Sequence, residues 1–76
     1  MNNYNTYALN MNDALKMFTI HVERKEFRSA FTTFLILHNS FNELKEYYSY
    51  NEDEYKVLEK RYNHAYEVML LLIQKD

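Results

Sequence analysis

The stretch from Tyr55 to Ile73, which reads YKVLEKRYNHAYEVMLLLI, decides the fold of this chain. Its main apolar seam recurs at alternating spacings of three and four residues: Tyr55, Leu58, Tyr62, Ala65, Met69 and Leu72. An α-helix places such residues on one face, so the spacing predicts an amphipathic helix. The run VMLLLI at its end is apolar all round, which is typical of a helix buried on more than one side. We therefore expect the rest of the chain to cover this helix.

Two further seams lie upstream at the same spacing. The first consists of Ala8, Met11, Leu15, Phe18 and Val22, and the second of Ala30, Phe34, Leu37, Phe41, Leu44 and Tyr48. The three seams predict helix 1 over residues 6–23, helix 2 over 27–49 and helix 3 over 52–75. Residues 1–5 are polar and rich in Asn, so we expect them to form a frayed tail.

The seams of helices 1 and 2 are out of phase. Continuing the first seam from Val22 reaches Lys25 or Glu26, whereas the second seam requires Phe27 and Ala30. The difference is one residue, which corresponds to about 100° of helix rotation. This slip predicts a break or sharp bend near residues 24–26.

The second junction allows two interpretations. The seam of helix 2 continues in phase through Asn51 into helix 3, which would suit one long helix in an oligomeric coiled coil with Asn51 fixing the register. However, Asn51 followed by three acids resembles a helix start, with Glu54 placed as the acid of a capping box. The flanking positions are also too apolar for an exposed coil. These features favour an antiparallel hairpin, and the predicted fold is an all-α three-helix bundle in which helix 1 packs on that hairpin.

The amino-acid composition argues against several classes of functional site. The chain has no Gly, Pro or Cys, so it lacks the material of phosphate-binding loops, disulfides and thiolate nucleophiles. No catalytic constellation is present, and we predict a protein that is not an enzyme and needs no cofactor. No pair of its three histidines has the spacing of a helical metal site, so no metal is predicted. His38, beside the second seam, is the only histidine that we expect to be substantially buried.

The charge and hydropathy of the sequence narrow the classes of partner that we expect. The formal net charge is −2, and the basic cluster of Arg24, Lys25 and Arg28 alternates with Glu23 and Glu26, which disfavours nucleic acid. No stretch approaches the roughly 20 apolar residues of a membrane span. The N-terminus lacks the basic start of a signal peptide, so we expect a cytoplasmic protein without membrane contact.

Aromatic residues are abundant, with eight Tyr and five Phe. Tyr47 and Tyr50 fall near the predicted hairpin tip, where we expect them to be exposed, while Tyr48 and Tyr55 belong to the seam. Tyr offers a large contact area with a polar end, so Tyr47 and Tyr50 are the candidate partner-binding residues, with Glu52 and Glu54 as a polar rim. The alternative is that these tyrosines form a layer that closes the core.

The apolar end of helix 3 suggests self-association. A chain of 76 residues buries only part of its apolar surface, and VMLLLI exceeds what one small core needs. We predict a homodimer with Val68, Leu71 and Ile73 near its interface, because a two-fold axis lets one patch cover itself.

These observations favour a small non-enzymatic protein-interaction module, such as an adaptor, an inhibitor or an antitoxin-like regulator. Richness in Asn, Tyr and Phe without Gly or Pro also matches AT-biased codons, as in a low-GC bacterium or its phage. The alternatives are a structural homo-oligomer whose assembly is its function and a nucleic-acid-binding regulator.

Overall fold

Three long helices and one short 3₁₀ segment make up the part of the chain that the structure describes. The structure is a computed structural model, and it describes residues 3–74. The segments, in chain order, are α1 (Asn3–Glu23), α2 (Phe27–Leu44), a 3₁₀ segment (Lys45–Tyr50) and α3 (Glu52–Gln74). Residues 3–74 contain no β-strand, and α1 packs on both α2 and α3, which confirms the all-α three-helix bundle.

The hairpin of α2 and α3 is confirmed. The ring of Tyr62 lies between those of Phe34 and Phe41, at centroid distances of 5.8 and 4.5 Å. In one continuous helix Phe41 and Tyr62 would be roughly 31 Å apart along the axis. The alternative of a long helix is therefore wrong, and the shared seam instead folds back on itself.

Two hydrogen bonds to α3 fix the direction of α1. Near the start of α1 the hydroxyl of Tyr4 donates to Glu54, and in the middle of α1 the side chain of Asn12 accepts from Arg61. Helix α1 therefore runs parallel to α3 and antiparallel to α2. The two helices α1 and α2 pack more closely with each other than either does with α3. Small buried side chains such as Ala14 and Ala30 permit this close approach, whereas aromatic rings separate α2 from α3.

The core follows the predicted seams, with additions. Its buried apolar residues are Tyr4, Ala8, Met11, Ala14, Leu15 and Phe18 from α1, Ala30, Leu37, Phe41 and Leu44 from α2, and Leu58, Tyr62, Ala65 and Met69 from α3. Fully burying one such large side chain contributes about 1.5–3 kcal/mol, so these seams supply the main stabilisation of a chain this short.

The break between α1 and α2 lies where the phase slip predicts it. The backbone N–H of Lys25 donates to the carbonyl of Val22, and that of Glu26 donates to the carbonyl of His21. This pair of bonds is a Schellman motif, which ends a helix with one left-handed residue. That residue is Lys25, with φ of 61°, because the chain has no Gly to place there.

The start of α1 differs from the sequence prediction. We expected residues 1–5 to be frayed, but α1 already begins at Asn3, and Tyr4 is only 2% exposed. The tail was predicted from local polarity, whereas Tyr4 is held by a contact with Glu54, 50 residues away. Met1 and Asn2, the remainder of the predicted tail, lie outside the described residues.

The end of α2 also differs. The seam predicted helix to residue 49, but α2 ends at Leu44 and the chain continues as the 3₁₀ segment. Within it Tyr47 has φ of −119° and ψ of 18°, which is not helical. A 3₁₀ turn has three residues rather than 3.6, so the seam rotates away from the core. As a result Tyr48, predicted to be part of the seam, is 51% exposed.

The start of α3 follows the predicted cap only in part. The side-chain oxygen of Asn51 accepts a hydrogen bond from the N–H of Glu54 at 3.2 Å, which confirms Asn51 as the N-cap. The capping box is wrong, because the N–H of Asn51 donates to the carbonyl of Tyr48 and the Glu54 carboxylate binds Tyr4. Lys75, where helix 3 was predicted to end, lies beyond the described range.

Candidate functional site

Five tyrosines gather at the end of the molecule where α1 and α3 begin. We name them the aromatic tip: Tyr7, Tyr47, Tyr48, Tyr50 and Tyr55. Ring centroids are 5.9 Å apart for Tyr7 and Tyr47, 6.1 Å for Tyr47 and Tyr50, and 5.9 Å for Tyr48 and Tyr55. These distances are typical of aromatic pairs that contribute beyond their buried area. The aromatic tip therefore consists of two groups of contacting rings, one of Tyr7, Tyr47 and Tyr50 and one of Tyr48 and Tyr55.

The two predicted anchors have different environments. Tyr50 is 67% exposed, and its ring contacts that of Tyr47. Tyr47 is half-buried, because its ring stacks on Tyr7 and its hydroxyl accepts a hydrogen bond from the Asn3 side chain at 3.3 Å. The expectation that Tyr47 is exposed is therefore only partly right. Tyr48 and Tyr50 are the rings that the tip presents to solvent.

The two predicted rim acids also separate. Glu52 is exposed in the first turn of α3, as expected for a rim residue. The carboxylate of Glu54 accepts a hydrogen bond of 2.6 Å from the hydroxyl of Tyr4, which also lies 3.4 Å from the carbonyl oxygen of Asn51. Glu54 therefore holds α1 against α3, in addition to any role at the rim.

Burial keeps the hydroxyl of Tyr4 protonated. Its pKa is raised strongly, first because the group is desolvated and then because Glu54 accepts its hydrogen bond and carries negative charge. The pKa of Tyr7 is also raised, first by desolvation and then by the charge of Glu43. Both hydroxyls therefore stay protonated to a higher pH than the hydroxyl of an ordinary tyrosine.

A groove between α1 and α3 is the second candidate site. It has a volume of about 440 Å³, and we name it the α1–α3 groove. Its lining is apolar at Leu15, Phe18, Val22, Ala65 and Val68, and polar at Thr19, Glu23, Lys60, Arg61 and His64. Near one end the guanidinium of Arg61 donates to the side-chain oxygen of Asn12 at 2.9 Å, which ties the two helices together.

Sequence reasoning missed the α1–α3 groove, although a signal for it was present. Beside its core seam, α3 carries a second stripe at spacings of four and three: Val57, Arg61, His64, Val68 and Leu71. Two polar members, Arg61 and His64, interrupt the stripe and make it less evident than the core seam. Its apolar members nevertheless mark a face of α3 that no helix of residues 3–74 covers, with Val57 and Leu71 both exposed.

The predicted dimer residues do not share one face. Val68 is half-buried in the α1–α3 groove, and Leu71 continues the same row with 58% exposure. Ile73 is 55% exposed, but it lies two residues after Leu71, which is about 200° round the helix. The interface itself stays a prediction, and helix geometry separates Ile73 from the other two residues.

The three histidines have separate environments. His38 is half-buried, with Nδ1 2.6 Å from the hydroxyl of Tyr62 and Nε2 3.2 Å from the side-chain nitrogen of Asn42. His21 Nδ1 lies 2.9 Å from a carboxylate oxygen of Glu26 at the α1–α2 junction, and His64 is exposed at the groove. Within residues 3–74, no three His, Asp or Glu side chains form a group that could hold a metal ion.

Comparisons with known protein families, with curated proteins and with solved structures find no match to this chain. None of the helices in the described part of the chain is long and apolar enough to cross a bilayer. All buried polar side-chain atoms of residues 3–74 have hydrogen-bond partners within the protein. The aromatic tip and the α1–α3 groove are therefore identified as candidate sites by the exposure of their side chains and by their shape.

Proposed function

We propose that this chain is a non-enzymatic protein-interaction module that contacts its partner through the aromatic tip. An adaptor, an inhibitor or an antitoxin-like regulator of a low-GC bacterium or phage would have this role. The observation that carries the proposal is the exposure of Tyr48 and Tyr50 on a segment that is otherwise held to the bundle. Exposed tyrosines are typical anchors of protein interfaces.

The support beneath these two rings favours binding. Tyr47 stacks on Tyr7 and contacts Tyr50, while Tyr48 contacts the half-buried ring of Tyr55. A contact residue that is already held in place loses less conformational entropy when a partner binds. The aromatic tip thus combines large exposed rings with a preorganised base.

The charge beside the tip indicates the chemistry of the partner. Glu52 and Asp53 are exposed in the first turn of α3, and Glu46 is exposed in the 3₁₀ segment. Complementary charge at a rim mainly raises the association rate and sets specificity. We therefore expect a partner surface that offers an apolar pocket bordered by Lys or Arg.

The decisive experiment compares two double variants in affinity capture from a lysate of the source organism. Tyr48→Ala/Tyr50→Ala removes the exposed rings of the tip, and truncating true anchors costs about 2 kcal/mol or more, roughly thirtyfold in affinity. Leu35→Ala/Ile36→Ala is the matched control, because both residues are exposed and apolar but lie on α2.

We expect the wild type and the α2 control to capture the same protein, and the tip variant to lose it. Both variants should keep the helical circular-dichroism signal of the wild type, since none of the four side chains is buried. Equal capture by the tip variant, with its helical signal intact, would show that the aromatic tip is not the binding surface.

Self-assembly is the second candidate function. It is supported by the α1–α3 groove together with the exposed side chain of Leu71 beside it. The two candidates use different surfaces, because the aromatic tip involves none of the residues that line the groove. A self-associating module can therefore still present its tyrosines to another protein.

A further inference from the structure

The α1–α3 groove is open because only one side of the α1–α3 pair is covered. Helix α2 packs against both α1 and α3 on that side. On the other side Thr19 and Ala65 have short side chains, and the apolar groups of Phe18, Val22 and Val68 line a groove without a third helix above it. Four-helix bundles fill such a position with a further helix.

The stripe on α3 that faces this side is nearly symmetric about His64. Val57 lies seven residues before His64 and Leu71 seven residues after it. On one flank of the stripe, Lys60 lies four residues before His64 and Glu67 three residues after it. Two antiparallel copies of this helix would thus bring Val57 to Leu71 and Lys60 to Glu67, with Arg61 beside Val68 between these pairs.

We propose that the α1–α3 face is covered by the same face of a second copy of this chain, with the two α3 helices antiparallel and crossing near His64. The proposal rests on self-assembly, the second candidate function, and specifies its geometry. A two-fold axis through the crossing makes the contact self-complementary and closed, so that assembly stops at the dimer.

Charge complementarity favours a second copy of this chain, rather than an unrelated helix, as the partner that covers the α1–α3 face. Lys60 and Glu67 are one heptad apart, so both lie on the same flank of α3. In the antiparallel arrangement Lys60 of each copy lies beside Glu67 of the other, which gives two ion pairs at the rim. Val57 of each copy meets Leu71 of the other, and both side chains are exposed within a single chain.

The same arrangement places Val68 in the dimer interface and leaves Ile73 outside it. Val68 lines the groove and belongs to the stripe, whereas Ile73 points to the other side of α3. Leu71 and Ile73 are almost equally exposed. They therefore provide a matched pair of positions at which one substitution distinguishes the proposed face from its opposite.

Charge reversal of the full chain, read by sedimentation equilibrium over a range of concentrations, tests the proposal. Lys60→Glu and Glu67→Lys each turn two attractive rim pairs into repulsive ones, so each variant alone should dimerise roughly tenfold more weakly than the wild type. Mixing the two variants should restore the wild-type affinity, because a heterodimer again pairs each base with an acid. The double variant Lys60→Glu/Glu67→Lys should also dimerise like the wild type.

The second arm uses Leu71→Asp with Ile73→Asp as its control. Leu71→Asp should weaken the dimer at least tenfold and leave the helical signal unchanged, whereas Ile73→Asp should leave the dimer intact. A wild type that stays monomeric at every concentration overturns self-assembly and this geometry together. A wild-type dimer that responds to neither charge reversal nor Leu71→Asp overturns the geometry and leaves self-assembly standing.

Discussion

At the residue scale, one tyrosine connects the start of α1 to the start of α3. Tyr4, in the first turn of α1, has a buried ring, and its hydroxyl donates a hydrogen bond to the Glu54 carboxylate in the first turn of α3. Hydrogen bonds to a charged acceptor contribute about 1.5–3 kcal/mol when shielded, and less here because Glu54 is exposed. Together with the hydrogen bond from Asn3 to Tyr47, this contact positions the start of α1 beneath the aromatic tip.

The raised pKa of Tyr4 predicts a loss of stability at alkaline pH. Above the ordinary tyrosine pKa of 10.0, the unfolded chain releases this proton while the folded chain retains it. The unfolded state then binds fewer protons, so the free energy of unfolding falls as the pH rises above 10. Burial also raises the pKa values of Tyr55 and Tyr62, which adds to the effect in the same direction.

The measurement is urea denaturation of the wild type and Tyr4→Phe at pH 8 and pH 11. Phe keeps the buried ring but has no proton to release, so Tyr4→Phe should be about 1 kcal/mol less stable at pH 8. Its stability should then fall less than that of the wild type between the two pH values. An equal fall in both proteins would contradict the role given to Tyr4.

At the scale of the secondary-structure elements, the α1–α2 junction contains backbone strain. Lys25 occupies the left-handed position of the Schellman motif, where a residue with a Cβ atom costs roughly 1–2 kcal/mol. Its side chain is exposed, so burial of that side chain does not compensate for the cost. The junction is therefore the element boundary at which one substitution should stabilise the protein.

Lys25→Gly should raise the free energy of unfolding by about 1 kcal/mol, because Gly adopts positive φ without that cost. For a chain of this size the melting temperature should rise by roughly 4–8 °C. Lys25→Ala is the control, since it removes the charge but keeps Cβ and should leave the melting temperature close to that of the wild type. If both variants melt at the same temperature, the backbone of Lys25 does not limit stability.

The same elements show how far sequence reasoning reaches. The phase slip after Val22 located the first break, and the acids after Asn51 located the start of α3, because both features are local. Periodicity alone also fitted one long helix, and the hairpin was favoured by the acids after Asn51 and by the apolar positions that flank the seam. The early start of α1 was missed, since it depends on the distant pairing of Tyr4 with Glu54.

Two further features were beyond what periodicity shows. The 3₁₀ segment changes the residues per turn, so the seam that contained Tyr48 no longer indicated burial. The α1–α3 groove arises from how three helices pack, and the spacing within one helix does not reveal which of its faces stays uncovered. The candidate anchors were right in location, at one end of the hairpin, and only partly right in exposure.

At the scale of the whole molecule, the bundle separates two surfaces. The aromatic tip lies where α1 and α3 begin, and the α1–α3 groove extends towards their C-terminal ends at Val22 and Val68. Helices α1 and α2 form the more closely packed pair, and α3 contributes residues to both surfaces. We expect substitutions at one surface to leave the function of the other intact, because distant sites without shared partners act independently.

The central proposal is that the aromatic tip is a contact surface for another protein. Site-specific photocrosslinking in cells of the source organism tests this proposal most directly. A benzophenone side chain replaces Tyr50 at the tip or Ile36 on α2, both exposed positions, so neither substitution disturbs the core. We expect the benzophenone at position 50 to form a covalent adduct between the chain and one other protein, and the benzophenone at position 36 to form none. No adduct from position 50, or the same adduct from both positions, would contradict it.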